Sequence, residues 1–98
     1  MIDDILRMVK ALLEERDKLY GDAFHKVWEE YNLTGTTILL TVKLNRLKNL
    51  AKKDGIPARF IKDTLLDIMG YCVLTLHEMT KRDIERKKHL LIEPHAHI

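Results

Sequence analysis

Apolar side chains recur along this chain with helical spacing almost from end to end. Ile2, Ile5, Leu6, Val9, Leu12, Leu13, Leu19 and Tyr20 follow one another largely in steps of three and four, the period that lines up side chains on one face of an α-helix. This pattern predicts a first helix from about Ile2 to Tyr20. Asp3 and Asp4 sit at its N-terminal end, where carboxylates complement the helix dipole. Gly21 should stop it. Asp22 or Ala23 then opens a short helix with Phe24, Val27, Trp28 and Tyr31 on one face, and Asn32 to Gly35 reads as a loop. A third helix, capped by Thr36 or Thr37, runs to about Lys53 with Leu40, Leu44, Leu47 and Ala51 as its apolar positions and Leu39, Val42 and Leu50 alongside. Lys52, Lys53 and Gly55 form its C-terminal signal, and Pro57 suits the first position of a last long helix. That helix reaches at least Thr80, with Lys81 to Lys88 as a solvated extension, and Pro94 ends any regular structure.

The expected fold is therefore all-α: a small helical bundle with two long helices. We expect one domain over residues 1–90 and a C-terminal tail over 91–98. With 46% hydrophobic and 33% charged residues the chain is globular in composition, and six Gly and Pro together are too few for a turn-rich all-β chain. The run from Thr64 to Leu76 is apolar almost all round. Such a helix wants cover on several sides, so completion of the bundle by a homo-oligomer (dimer or tetramer) is expected. The same run contains Asp67 and is too short to span a bilayer. The N-terminus carries Asp3, Asp4, Arg7 and Lys10 among its apolar residues, unlike a signal peptide. No membrane association and a cytoplasmic location (host cytoplasm if the source is viral) are the expectations. The lone Cys72 reads as a reduced core residue.

A net charge of +2 implies no bulk attraction to nucleic acid, so that partner is not favoured. The charge is unevenly placed. From Tyr31 to Lys62 there are seven Lys/Arg against Asp54 alone, whereas the first thirty residues hold eight acids and five bases. Four constellations carry candidate chemistry. Asp63 and Asp67 stand one helical turn apart, a spacing that suits Mg²⁺ or Mn²⁺ bound together with substrate phosphates. The alternative is a solvated Asp63 and an Asp67 paired with a base on the preceding helix. Lys43 and Arg46 lie one turn apart on that helix; they could hold phosphate oxygens or neutralise the two aspartates. Asp22 and His25 follow Gly21, where a helix N-terminus can face an anion; His25 could bind phosphate, or lie on the helix surface. Phe24 and Trp28 could stack a base, although such spacing more often marks core. His89, His95 and His97 form a His-containing tail that could bind a transition metal, although such tails are more often incidental. Glu14, Glu15, Glu29 and Glu30 read as solvated acids partly paired with Lys18 and Lys26.

Three of these pieces occur in a recognisable order: Leu19-Tyr20-Gly21-Asp22-Ala23-Phe24, then Val42-Lys43-Leu44-Asn45-Arg46-Leu47, then Asp63-Thr64-Leu65-Leu66-Asp67-Ile68-Met69-Gly70-Tyr71. The order and separation resemble the nucleotide modification associated domain of phages and bacteria, over about Leu12 to Met79. That family is distantly similar to the MazG-like all-α nucleoside triphosphate pyrophosphatases, helical oligomers that hold Mg²⁺ with acidic pairs on two helices. The resemblance implies a protein that binds a nucleotide or modified nucleotide, and extends to a Mg²⁺-dependent pyrophosphohydrolase as one expectation. Asp63 and Asp67 would be the catalytic and metal residues, and Lys43, Arg46, Asp22 and His25 would contact substrate. The chain departs from the MazG-like pattern of Glu-x-x-Glu on one helix and Glu-x-x-Asp on the next. Thr64 stands three residues before Asp67, and no acid occurs from Ile38 to Lys53. Nucleotide binding survives that departure better than hydrolysis. The rival reading is a non-catalytic helical module for protein or nucleic-acid interaction, in which the same residues form a buried ion network.

Overall fold

The computed structural model describes residues 1–20 and 22–89. It is all-α among those residues, with α1 (Ile2–Tyr20), α2 (Ala23–Tyr31), α3 (Leu33–Ala51) and α4 (Ala58–His89). The expected stop at Gly21, the ending at Pro94 and the tail histidines His95 and His97 fall outside the described residues, as does the side chain of His89. α1 carries Asp3 and Asp4 in its first turn and Lys18 in its last, each complementing the helix dipole. α4 has 32 residues, which makes it about 48 Å long, and it is the axis against which the other three helices pack.

The α2–α3 connection is tighter than the sequence implies. Instead of a four-residue loop, Asn32 alone separates the helices. It holds a positive φ of 51°, a conformation asparagine tolerates better than most side chains. Its N–H bonds the Trp28 carbonyl at 2.8 Å, closing α2, and α3 begins at the next residue. Thr37 does not cap. Its hydroxyl bonds back to the Leu33 carbonyl at 3.0 Å inside the helix. Gly35, read from sequence as a loop residue, is buried within α3. A Cβ there would lie 2.7 Å from Val27 Cγ1 and 3.2 Å from Tyr31 Cβ, so the glycine exists for close approach of α2 and α3. The α3–α4 turn follows expectation. Gly55 takes φ +72°, and Pro57 immediately precedes α4, its carbonyl accepting from the Phe60 N–H.

Packing shows how little of the molecule is dry. Among the described residues only Val9 and Trp28 are buried apolar side chains, against four buried polar ones: Thr36, Thr64, Thr75 and Glu78. The α3–α4 seam is stitched by hydroxyls. Thr75 donates to the Tyr71 carbonyl at 2.7 Å, so Thr36 must be the donor in the 2.9 Å contact between the two hydroxyls. The packed face of α3 is accordingly rotated from the one read in the sequence. Thr36, Leu39, Leu40, Lys43, Leu47 and Leu50 face inwards to varying degree, while Leu44 and Ala51 are exposed. Cys72 is exposed rather than in the core. It shares an uncovered α4 stripe with Leu65, Leu76 and Met79, spaced by three, four and seven residues. Ile2, Ile5, Leu6 and Met8 on α1 and Ile38 and Val42 on α3 are likewise exposed. No described helix is long and apolar enough to cross a membrane.

The Gly35 contact sets a test. Alanine gains about 1 kcal/mol of helix propensity over glycine, but the new methyl meets stiff, β-branched Val27 and the Tyr31 Cβ at an overpacking cost of about 1–3 kcal/mol. Gly35→Ala should therefore lower the thermal midpoint, with a net loss of about 1 kcal/mol. A raised midpoint would show that the α2–α3 crossing has slack.

Candidate functional site

Asp67 joins three helices. On α4 it accepts from Arg16 Nη2 of α1 at Oδ1 and from Lys43 Nζ of α3 at Oδ2, the latter at 2.9 Å. The side chains are 15% (Asp67), 24% (Lys43) and 39% (Arg16) exposed, so this is a half-buried triad open at one edge to water. Burial alone would raise the Asp67 carboxyl. Hydrogen bonds from Lys43 and Arg16, together with their charges, outweigh it and hold the carboxyl below its ordinary value of 3.8.

The sequence placed Lys43 and Asp67 together, and the structure joins them. It separates the other two members of that group. Arg46 points elsewhere: its Nε donates to the Thr64 hydroxyl at 3.2 Å, and Thr64 donates in turn to the Phe60 carbonyl. Asp63 is exposed and makes no hydrogen bond or ion pair among the described residues. Asp22 is an exposed residue paired with Lys26 at 3.7 Å. His25 is half-buried rather than a free surface histidine. Its Nδ1 lies 2.9 and 3.0 Å from the two oxygens of Glu78, and its Nε2 lies 3.2 Å from Glu29 Oε1. Glu29 thus pairs with His25, not with Lys26.

Two residues escaped the sequence reading. Arg16 continues the α1 stripe of Val9, Leu12 and Leu13 by three to four residues, so its place on the packed face was visible in the spacing. Glu78 follows Asp67 by eleven residues, close to three whole turns, which returns it to the same side of α4. A carboxylate in that register with buried Thr75 signals a polar interior.

Between these clusters lies an open cleft of about 1300 Å³ bounded by all four helices. Arg16, Lys43 and Asp67 stand at one end, and His25, Glu78 and Lys81 at the other. The two ends are about 16 Å apart along α4, taking 1.5 Å per residue. Val9, Leu13, Leu74 and the ring pair Phe24 and Tyr71, with centroids 6.2 Å apart, line the apolar waist. Gly70 keeps the waist narrow, since a Cβ there would sit 3.3 Å from Leu13 Cδ2. Comparison with protein-family models, with curated proteins and with solved structures finds no match. The chemistry must be read from the cleft itself.

One carboxylate shared by two cations leaves a net positive charge. Both Asp67 oxygens are engaged, and among the described residues no group of three or more His, Cys, Asp or Glu is placed to hold a metal. For Asp63 and Asp67 to ligate Mg²⁺ or Mn²⁺ together, Asp67 would have to release Lys43 or Arg16. As arranged, these residues do not fit a directly bound divalent cation. They fit an anion, which a guanidinium can meet with paired N–H groups and an ammonium with a point charge.

Asp67→Asn removes the counter-charge of both bases. Loss of one partner of a fully buried pair costs about 3–5 kcal/mol, so about 2–3 kcal/mol is expected for this half-buried triad. The native pKa is depressed, so the stabilisation is complete above 3.8 and is lost as pH falls through the lower native value. The gap in melting temperature between wild type and Asp67→Asn should be widest near neutrality and close below the ordinary aspartate range. A gap unchanged from pH 7 to pH 3 would mean that the ionised carboxylate contributes nothing.

Proposed function

We propose that this protein binds a nucleotide or modified nucleotide, with its phosphates at Arg16 and Lys43. The observation that carries the reading is the Asp67 triad at the edge of an open apolar cleft. Asp67 holds two cations together in advance, which reduces the ordering a phosphate must impose on binding. The aromatic pair Phe24 and Tyr71 gives the waist a surface for a base. The resemblance of the YGD, K-x-x-R and D-x-L-x-D elements to the nucleotide modification associated domain points the same way. A sealed ion network would favour the rival interaction module, and the exposure of Arg16 and Lys43 weighs against it. Hydrolysis of the MazG-like kind is no part of the proposal, because Asp67 is committed to Arg16 and Lys43. Mg²⁺ would enter with the phosphates it neutralises.

Titration calorimetry with nucleoside triphosphates, with and without Mg²⁺, tests this. Arg16→Ala and Lys43→Ala should each weaken binding about tenfold or more, the size of one hydrogen bond between charged groups. Arg46→Ala should leave affinity unchanged, since Arg46 bonds Thr64 rather than the triad. Equal loss from Arg46→Ala would place the phosphate on the outer face of α3.

The second part of the reading concerns assembly. We propose that the stripe of Leu65, Cys72, Leu76 and Met79 packs against a second copy in a dimer or larger homo-oligomer. Leu76 is 63% exposed, and an apolar stripe of this length left in water is unusual for a monomer. Light scattering should give at least a dimer at tens of micromolar, with an interface of about 1600 Å² or more. Leu76→Glu should shift the mass towards monomer with helicity retained. A wild-type monomer at that concentration would remove the oligomer from the proposal.

A further inference from the structure

The far end of the cleft has an imbalance that the phosphate reading does not use. Among the described residues Glu78 is the one buried carboxylate, with its side chain 8% exposed. An ionised carboxylate offers about four lone-pair sites, and a buried one needs donors to offset desolvation. Among the described side chains Glu78 has one close donor. His25 Nδ1 sits 2.9 and 3.0 Å from its two oxygens, so a single N–H is shared between them. Lys81 Nζ is 3.6 Å from Oε1, beyond good hydrogen-bond distance. Glu29 holds the other face of the imidazole through Nε2 at 3.2 Å, which fixes the direction from which His25 approaches. Each oxygen thus has a partner, but one shared N–H and a more distant ammonium leave lone-pair sites of this buried, oriented carboxylate open, and it lines the cleft.

What completes a carboxylate of this kind is a planar pair of adjacent N–H donors. Among the common bases, guanine presents one: its ring N1–H beside its exocyclic amino group. Adenine and cytosine set a donor beside an acceptor, and uracil and thymine set one donor between two acceptors. An acceptor aimed at Glu78 would be repelled. Lys81, on the same rim, adds a cation suited to a carbonyl oxygen such as that of guanine. The Phe24–Tyr71 pair lies between this end and the Arg16–Lys43 end, where a stacked base joins its donor edge to its phosphates.

We infer that Glu78, oriented by His25, reads the N1–H and amino edge of guanine, so that the cleft selects guanine nucleotides. This rests on the phosphate site proposed above. Glu78 is a specificity-determining residue and His25 a positioning one.

The test is a binding series by titration calorimetry with GTP, ITP, ATP and inorganic tripolyphosphate. ITP matches GTP except that it lacks the exocyclic amino group. Loss of one hydrogen bond to a charged group weakens binding about tenfold or more, so GTP should bind at least about tenfold tighter than ITP, and ATP should bind weaker still. Glu78→Gln presents an amide where a carboxylate stood, and it should bring the GTP/ITP ratio to within about twofold of unity because the charged acceptor is gone. Tripolyphosphate affinity should not change in this variant, since Arg16 and Lys43 are untouched. If Glu78→Gln fails to fold, the wild-type ranking decides alone. ATP binding as tightly as GTP, or a GTP/ITP ratio that survives Glu78→Gln, would overturn the inference while leaving the phosphate site standing. Absence of binding by tripolyphosphate and by every nucleotide would remove the phosphate site and this inference together.

Discussion

Asp67 is the point on which the arrangement turns. It stands on the longest helix and takes one base from α1 and one from α3. A lone carboxylate at this depth would be costly to keep ionised, and two neighbouring cations would repel each other. Each therefore makes the other tolerable, and together they fix the position of α1 relative to the α3–α4 pair. The need is acute because α1 has little else to hold it: among its described side chains Val9 alone is buried, Leu12 and Leu13 are half-buried, and its N-terminal apolar residues are exposed.

The interior around this triad is polar to an unusual degree for so small a chain. Threonine hydroxyls and a glutamate occupy places where a helical bundle normally packs leucine, and hydrogen bonds such as Thr36–Thr75 and Arg46–Thr64 join the helices. Such bonds contribute about 1 kcal/mol each, because they replace bonds to water. They specify how helices align more than they drive them together. The hydrophobic drive rests on half-buried side chains such as Leu13, Leu40, Leu47, Leu66 and Leu74, while several apolar residues of α4 stay uncovered. Polar residues inside and apolar residues outside are two sides of one constraint on a 98-residue chain.

The helices were legible in the sequence because their signals are local. Gly55 and Pro57 signal the break between two helices, and in the structure Gly55 takes its positive φ in the connection after α3 and Pro57 immediately precedes α4. The connection at Asn32 was not legible, since Gly35 reads equally as a breaker and as a point of close helix contact, and only the position of Val27 decides between them. The face of α3 was misjudged for a related reason. Leucine at 44 and lysine at 43 suggest that 44 lies inside, but Asp67 gives Lys43 a partner and so turns the helix. The Lys43–Asp67 pair could be foreseen from an acid in an apolar run and a base on the helix before it. Arg16 and Glu78 could not be assigned that way, because each depends on which residue of a distant helix comes to meet it. Asp63 and Arg46 show the opposite error: a four- or three-residue spacing puts residues on one side of a helix without ensuring a common partner.

The triad also bears on how a ligand can be held. Arg16 and Lys43 would disperse into water if no carboxylate gathered them, and an incoming phosphate would then have to order two long side chains at its own expense. Under the proposed function, Asp67 would remove much of that entropy loss in advance while competing with the phosphate for the same donors. The balance depends on its charge. Because Lys43 and Arg16 keep its carboxyl ionised below the ordinary aspartate range, the competition is constant through neutral pH and the site stays at one net positive charge. Under the proposed function, a site of that charge would favour an anion that shares the cations with Asp67 rather than displacing it. The open edge of the cleft leaves room for such sharing, since Arg16 still has 39% of its side chain in solvent. The same exposure that makes the triad a modest contributor to stability is what leaves its donors accessible.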